Sequence, residues 1–279
     1  MIRTQSESET RNERCRVVAH QEEMSGHFRL RLQSTRVAQE ARAGHFAHVL
    51  THDTSFDPLL RRAFSIMRVE GEEFEIFYRV QGRGTQLLSR RRAGEDINVL
   101  APLGRAFSVF EGPAILVGGG VGVPPLIMLA RQELLEGRAN LNSLRVLAGA
   151  RNAQEVIGKN DFAALGLAVE VATDDGSEGE QGLVTAPLQR LLQSESGGMQ
   201  PTVYACGPLP MLRAVAELCV RYGAKCQVSL EENMPCGVGV CNGCVVRVLT
   251  TGDAYGQYRR VCVDGPAMWA HEIDWDGPA

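Results

Sequence analysis

Residues Ala114-Ile115-Leu116-Val117-Gly118-Gly119-Gly120 mark the place where the pattern of this 279-residue chain changes. Before them, short stretches such as 28–32 alternate apolar and polar residues with period two between glycines, which predicts a small antiparallel β-barrel over residues 15–111. After them, apolar strands alternate with helical segments over residues 112–230, which is typical of a parallel sheet covered by helices. The expected fold class is therefore β + α/β, followed by a short Cys/Gly-rich domain at residues 231–279.

Composition argues against several classes of protein. The net charge of −4 and the absence of a basic stripe argue against nucleic-acid binding. The uncharged stretch at residues 112–130 is interrupted by glycines and prolines, so it does not predict a membrane helix. Residues 1–14 are polar and lack the apolar segment of a secretory signal, so we expect a disordered lead-in and a cytoplasmic protein.

The cysteines are concentrated near the end of the sequence, since seven of the eight follow residue 200. Four have the spacing Cys-x4-Cys-x2-Cys-x17-Cys, which is the plant-type [2Fe-2S] pattern, and iron–sulfide clusters prefer thiolate ligands. A four-cysteine zinc site is the alternative, but zinc ribbons generally pair two C-x2-C knuckles and only one is present. The predicted cluster ligands are Cys236, Cys241, Cys244 and Cys262.

Two segments of the predicted barrel indicate a flavin site. Taken singly, Arg62-Ala63-Phe64-Ser65 could be surface packing and residues 78–85 a turn, but together they resemble the ferredoxin–NAD(P) reductase superfamily. The resemblance implies FAD, with the Arg62 guanidinium on phosphate and Phe64 against the isoalloxazine ring. Ser65 would approach the flavin N5, and Thr85 would N-cap a helical turn at residues 86–92 beneath a phosphate. The full predicted FAD set is Arg62, Ala63, Phe64, Ser65, Phe77, Tyr78, Arg79, Gly84 and Thr85.

Two turns of the predicted α/β domain indicate a site for a nicotinamide nucleotide. The glycine-rich turn at residues 117–122 lacks the G-x-G-x-x-G spacing, so a plain tight turn is the alternative interpretation. The later Cys206-Gly207-Pro208 resembles the segment that lies near the nicotinamide in the reductase superfamily. The resemblance implies Ser65 and Cys206 as catalytic residues, and NAD contacts from Gly119, Gly120, Gly122, Cys206, Gly207 and Pro208.

Asp174 and Asp175 follow the third strand that we predict in the α/β domain. They could form a strand-ending Asx turn. They could also lie near the nucleotide ribose, where carboxylates favour a free 2′-hydroxyl and therefore NAD over NADP. Arg151 is a nearby cation that would argue for NADP.

Over roughly residues 15–275 the chain resembles the electron-transfer subunit of NAD-dependent (class 1B) dihydroorotate dehydrogenase. Besides the motifs above, the resemblance is carried by residues 122–126, 231–237 and 260–266. Ala63 and Ala101 depart from the family pattern, in which Pro and Gly are frequent at these positions. The resemblance implies that electrons pass from an FMN-containing catalytic subunit through the cluster and FAD to NAD+, in pyrimidine biosynthesis and in an α2β2 assembly.

Other functions stay open from the sequence alone. A sulfide dehydrogenase, a ferredoxin:NADP transhydrogenase and a hydrogenase diaphorase subunit share nearly every motif, and a zinc-stabilised binding module would be a non-enzymatic alternative. Apolar residues surround the first cluster cysteines, namely Met234, Pro235, Val238 and Val240. Because such residues suit a docking face better than a free surface, we expect the partner subunit to bind there.

Overall fold

The structure is a computed structural model that describes residues 11–52, 57–194, 200–249 and 257–277, so the predicted lead-in up to residue 10 lies outside the described residues. The strands are β1 (Arg11–Met24), β2 (His27–Gln33), β3 (Phe46–Val49), β4 (Arg62–Glu70), β5 (Glu73–Arg79), β6 (Asp96–Leu103), β7 (Ala114–Gly119), β8 (Leu144–Ala150), β9 (Val169–Thr173), β10 (Glu180–Gln181), β11 (Thr202–Cys206), β12 (Cys226–Ser229), β13 (Val245–Arg247), β14 (Tyr258–Arg260) and β15 (Ala267–Trp269). The helices are α1 (Thr35–Glu40), α2 (Arg83–Leu88), α3 (Val123–Leu135), α4 (Lys159–Ala164), α5 (Thr185–Ser194), α6 (Leu209–Tyr222) and α7 (Val261–Asp264). Within the described ranges, no helix has the length and apolar character that crossing a membrane requires.

The first six strands close into the predicted antiparallel barrel, in the order β1-β2-β5-β4-β3-β6. Two of the period-two stretches are β2 and β5, which pair with Leu30 opposite Ile76 and Leu32 opposite Phe74. All four side chains are fully buried, because alternate residues of a strand face the same side and here that side is the barrel interior. The predicted barrel is therefore confirmed.

Strand β1 begins at Arg11, four residues before the predicted start of the barrel at Cys15. Its first residues pair with β6, beginning with Arg11 opposite Ala101. Ladder hydrogen bonds need only backbone groups, and the side chains of Asn12 and Arg14 are exposed, so this stretch has no apolar alternation that a sequence could reveal. These residues therefore belong to the barrel and not to a disordered lead-in.

The second domain is built on a seven-stranded sheet in the order β10-β9-β8-β7-β11-β12-β15. The six strands from β7 to β12 are parallel. Helices cover both faces, since Leu116 of β7 shares a core with α3, whereas Ile115 and Val117 share another core with α5 and α6. The chain leaves β7 towards β8 on one side and later returns as β11 on the other. In open α/β sheets, ligands bind beyond the carboxyl ends of the strands at such a reversal of strand order.

The C-terminal segment predicted as a cluster domain is joined to this sheet. Strands β13 and β14 form a separate two-stranded ribbon, but β15 adds an antiparallel edge strand to β12, with Met268 opposite Val228. Cys244, Val261 and Cys262 lie in the same core as Val228 and α6. The sheet therefore continues across the predicted boundary between residues 230 and 231. The sequence did not indicate this, because β15 has three residues and is too short to show a pattern.

Candidate functional site

A pocket of about 600 Å³ lies where the barrel, the parallel sheet and the C-terminal segment meet. Strands β4 and β5 form one side of it, and the carboxyl ends of β11 and β12 form another. Residues 229–235, which lead to the first predicted cluster ligand, complete the wall. The structure places the following predicted site residues on its lining: Arg62, Ala63, Phe64, Ser65, Phe77, Tyr78, Arg79, Thr85 and Cys206.

Aromatic rings form the barrel side of the pocket. The rings of Phe64 and Tyr78 lie 5.3 Å apart between centroids, and Phe28 stacks on Tyr78 at 5.7 Å. The Tyr78 hydroxyl lies 3.0 Å from His20 Nε2, while His20 Nδ1 lies 2.7 Å from the Arg91 carbonyl oxygen. Because a carbonyl only accepts, Nδ1 of the neutral ring carries the proton and the Tyr78 hydroxyl donates to Nε2. Burial raises the pKa of Tyr78 and lowers that of His20, and both shifts favour the neutral form. The Tyr78 residue lines the pocket.

Arg62 and Gly84 lie in direct contact. A Cβ atom at Gly84 would come within 2.9 Å of Arg62 Nε, so only glycine lets the backbone of α2 approach the guanidinium this closely. Arg62 Nη1 donates to the carbonyl oxygens of Leu60 at 2.7 Å and Arg61 at 3.2 Å. Among the described residues, no carboxylate forms a salt bridge with Arg62. Within the described residues the Arg62 guanidinium therefore has only backbone acceptors, and it lines the pocket, where it was predicted to hold a cofactor phosphate.

Thr85 does not have the N-cap position that the sequence analysis gave it. Helix α2 begins at Arg83 with Gly82 as its N-cap, which makes Thr85 the third residue of the helix. Its hydroxyl oxygen reaches back and accepts from the backbone N–H groups of Gln81 at 2.9 Å and Gly82 at 3.2 Å. The prediction was wrong because either Gly82 or Thr85 could cap this stretch, and the local sequence does not say which of them does.

Cys206 stands at the carboxyl end of β11, beside Ser229 at the end of β12. Its side chain is almost wholly buried, and burial raises the pKa of the thiol, as does the charge of Glu231, whereas a hydrogen bond with Ser229 acts in the opposite direction. Burial also raises the pKa of Glu231, which lines the same pocket as Ser65. Ser229 and Glu231 were not predicted as site residues, although their place at the carboxyl end of a predicted parallel strand was a signal for them.

The two predicted nucleotide turns touch each other where the strand order reverses. A Cβ atom at Gly122 would lie 2.3 Å from the Cys206 carbonyl oxygen, and one at Gly119 would lie 3.1 Å from Pro208 Cδ. Gly207 approaches the backbone of Gly119 in the same way. These glycines are therefore required by packing, whatever the pocket binds. Gly120 differs, because it has φ +52° and open space around its Cα, and so leaves room above the turn.

Asp174 and Asp175 lie after β9, two strands away from β7, and neither lines the pocket. The Asp175 carboxylate accepts from the Ser177 hydroxyl at 2.6 Å and from the Ser177 backbone N–H at 2.9 Å, and these bonds lower its pKa. The Asx turn is thus present. Arg151 forms a two-point ion pair with Glu155, at 2.7 and 2.8 Å, so its charge is already matched.

The structure brings the four predicted cluster cysteines together as two pairs. Cys236 interacts with Cys241 near the surface, and Cys244 interacts with Cys262 in the core. Within the part of the chain that the structure describes, no group of three or more Cys, His, Asp or Glu side chains has metal-binding spacing. The loop nevertheless fits a cluster: its donors are all sulfur, Gly237 and Gly239 have left-handed backbones, and N–H groups of Gly243 and Cys262 point at sulfur atoms at 3.4 Å.

The surroundings of the cysteines give them different acidities. Burial acts to raise the pKa of Cys236, but backbone N–H groups of Val238, Cys241 and Val240 donate to its sulfur and lower the pKa to about 6. Burial and the hydrogen bond with Cys244 raise the pKa of Cys262 to about 12. Cys236 is therefore poised to bind as a thiolate, whereas Cys262 needs a nearby cation to ionise.

Comparison with known proteins defines the class. The model of the iron-sulfur cluster binding domain of dihydroorotate dehydrogenase B matches residues 231–274, and that of the oxidoreductase NAD-binding domain matches residues 116–217. A chain of the NADH-dependent reduced ferredoxin-NADP oxidoreductase structure superposes with a TM-score of 0.78 at 28% identity, covering 94% of this chain and 90% of that one. A ferredoxin NADP+ reductase from Neisseria gonorrhoeae shares the fold, with a TM-score of 0.62 at 16% identity over 80% of this chain and 95% of its own. The protein is thus an NAD-binding oxidoreductase with a reductase-like fold and an iron–sulfur domain.

Relatives at higher identity define the family. The dihydroorotate dehydrogenase B (NAD+) electron transfer subunit of Geobacillus thermodenitrificans is 39% identical over 268 residues, which are 94% of this chain and 98% of that one. The corresponding subunit of Bacillus caldolyticus is 41% identical over 86% of this chain and 90% of its own length. This chain belongs to the family of dihydroorotate dehydrogenase B electron transfer subunits, as the resemblance of its motifs predicted.

The acidity of Cys236 can be tested on iron-free protein by pulsed alkylation with iodoacetamide and mass spectrometry. Because a thiolate is the reacting species, we expect alkylation of Cys236 to reach half its maximal rate near pH 6, where its pKa lies. Cys206 is the control, since it is buried and its pKa is raised, and it should react slowly throughout. A midpoint for Cys236 near the ordinary thiol value of about 8.5 would contradict the effect of the backbone N–H groups.

Proposed function

We propose that this chain receives electrons from an FMN-containing dihydroorotate dehydrogenase catalytic subunit and passes them through a [2Fe-2S] cluster and FAD to NAD+. The observation that carries this proposal is the shared pocket wall, in which residues 229–235 run from the nucleotide strands past the barrel to Cys236. A flavin bound in that pocket would lie between the nicotinamide turn and the cluster loop. When bound, FAD supplies the chemistry that joins one-electron transfer from the cluster to two-electron transfer to NAD+.

The chain's own residues have distinct parts in this proposal. The Arg62 guanidinium, held against Gly84, would bind the cofactor phosphates, and the ring of Phe64 would pack on the isoalloxazine. Ser65 and Cys206 would lie at the place where flavin and nicotinamide meet, and the neutral Cys206 thiol would exclude water there without adding charge. The remaining proposed FAD contacts are Ala63, Phe77, Tyr78, Arg79, Gly84 and Thr85, and the proposed NAD contacts are Gly119, Gly120, Gly122, Asp174, Asp175, Gly207 and Pro208.

The four cysteines would hold the cluster, and the partner would bind over it. Val240 is 79% exposed and Val238 is 41% exposed, so the loop between Cys236 and Cys241 presents apolar side chains to solvent. Exposed apolar groups next to a redox site suit a docking face, since electron transfer between proteins needs a short distance. The proposed assembly is an α2β2 complex in the cytoplasm.

A second function is supported by one observation, the superposition on a chain from the NADH-dependent reduced ferredoxin-NADP oxidoreductase structure. In that alternative the cluster would receive electrons within a ferredoxin-linked complex. The higher identity to the dihydroorotate dehydrogenase subunits favours the first proposal. The identity of the partner that binds and reduces this chain separates the two.

The partnership is tested by reconstitution with the FMN-type dihydroorotate dehydrogenase from the same source. The mixture should reduce NAD+ with dihydroorotate, whereas this chain alone should reduce dyes with NADH and leave dihydroorotate unchanged. Val240→Asp should suppress the coupled activity by about tenfold or more, because a charge would be desolvated at the interface, while dye reduction is retained. Val220→Asp is the matched control, since Val220 is 75% exposed but lies on α6. Oxidation of dihydroorotate by the isolated chain, or an equal loss in both variants, would reject the proposal.

The flavin assignment is tested by Arg62→Ala. Loss of a charge-assisted phosphate contact of roughly 1.5–3 kcal/mol should weaken FAD binding about ten- to a hundredfold. Gly84→Ala should weaken it in the same direction, because the new methyl group would displace the guanidinium. Arg68→Ala is the control on the same strand, since Arg68 pairs with Glu70 and does not line the pocket. Fluorescence titration of FAD into apoprotein measures the Kd, and unchanged values in the first two variants would contradict the assignment.

The nucleotide assignment is tested by steady-state kinetics of dye reduction. NADH should have a higher kcat/KM than NADPH, and Asp174→Ala should narrow the difference because it removes a charge that repels a 2′-phosphate. Arg151→Ala should leave the ratio nearly unchanged, since Glu155 already pairs with this arginine. An equal or reversed preference in the unaltered protein would place the ribose elsewhere.

A further inference from the structure

His48 is a buried histidine that none of the roles above uses. It lies on β3, where it is opposite Ala63 of the proposed flavin strand β4. Its side chain is 0% exposed. On its other side the imidazole meets the cysteine loop, since a Cβ atom at Gly237 would lie 2.7 Å from Nδ1. His48 therefore fills the space between the flavin strand and the residue that follows the first cluster ligand.

The ring nitrogens of His48 are the unusual feature of this contact. Within the described residues, neither Nδ1 nor Nε2 has a partner in hydrogen-bond geometry, although both atoms are buried. A buried polar atom without a partner is unfavourable by about 1–3 kcal/mol and is therefore rare in folded proteins. The groups that face the ring are the backbone carbonyls of Met234 and Cys236, which act to raise its pKa.

An imidazole ring carries at least one N–H donor whether it is neutral or protonated. The carbonyl oxygens of Met234 and Cys236 thus face a buried donor that has no partner among the described residues. A small shift of the loop would bring one of these carbonyls into hydrogen-bond geometry with the ring.

We propose that His48 is a positioning residue for the cluster, whose ring N–H donates to the Met234 or the Cys236 carbonyl and holds the first cysteine loop against the barrel. The consequence is a fixed separation between the flavin strand and the loop that carries Cys236. This matters because one-electron transfer falls steeply with distance. The inference rests on the proposed function, in that the four cysteines must hold a cluster.

Three substitutions separate the hydrogen bond from simple packing. His48→Phe keeps a ring of similar size but removes the donor. His48→Asn keeps an amide N–H near the position of Nδ1, and His48→Gln keeps one near the position of Nε2. His45→Gln is the matched control, because His45 lies three residues earlier and its Nδ1 already accepts from the Arg42 backbone N–H.

The readouts are iron loss to a chelator, the reduction potential of the cluster and the electron paramagnetic resonance spectrum of the reduced protein. His48→Phe should lose iron about three- to tenfold faster, the factor for one neutral hydrogen bond, with a displaced potential and an altered spectrum. FAD content should stay unchanged. One of the two amide variants should restore the unaltered values, which would identify the donating nitrogen, and His45→Gln should match the unaltered protein.

Each outcome decides the question. If His48→Phe, His48→Asn and His48→Gln all match the unaltered protein, or if all three are altered equally, the hydrogen bond is not made and the proposal is overturned. Loss of FAD in parallel with iron would also overturn it, since that result assigns His48 to barrel packing. If His48→Phe does not fold, the contrast between the two amide variants decides alone. An unaltered protein that binds zinc and contains no acid-labile sulfide would instead reject the proposed function.

Discussion

The path of residues 229–235 is the constraint on which the rest of the site depends. This segment must leave the carboxyl end of β12, cross the face of the barrel and reach Cys236. Its first part is fixed by the sheet, because Ser229 pairs with Ala267 of β15 and the Leu230 N–H donates to the Pro266 carbonyl oxygen at 3.0 Å. Its far end is fixed by the contact of Gly237 with His48. A segment held at both ends can form one wall of the pocket and also set the position of the cluster loop.

The same segment joins three modules that share hydrophobic cores. Gly104 at the end of the barrel packs so closely on Pro266 that a Cβ atom would lie 2.7 Å from its Cδ. Phe46 of the barrel and Met268 of β15 belong to one hydrophobic core with the helices of the sheet. Rearranging one module would therefore disturb the packing of the others. For a protein that moves electrons between sites in different modules, this shared packing keeps the distances constant.

The features of the fold and site that could be predicted from the sequence are those with a local sequence pattern. Alternation at period two identified β2 and β5, and the cysteine spacing indicated a cluster without any knowledge of the fold. The parts that it missed depend on contacts between distant residues. The pairing of β15 with β12 and the hydrogen bond from Tyr78 to His20 have no local signal. The prediction of Thr85 as the N-cap of α2 was wrong for a different reason. Gly82 and Thr85 are both acceptable N-caps, and the choice depends on the path of the chain that enters the helix.

Burial around the pocket has a common electrostatic effect on groups of different kinds. It raises the pKa values of Tyr78, Cys206 and Glu231 and lowers those of His20 and His48, so each shift favours the neutral form of its group. The guanidinium groups of Arg61 and Arg62 line this pocket. A cofactor with negatively charged phosphates would therefore meet two guanidinium groups on the barrel side of the pocket. Cationic side chains beside buried groups whose charged forms are disfavoured suit a protein that must hold an anionic cofactor between two redox sites.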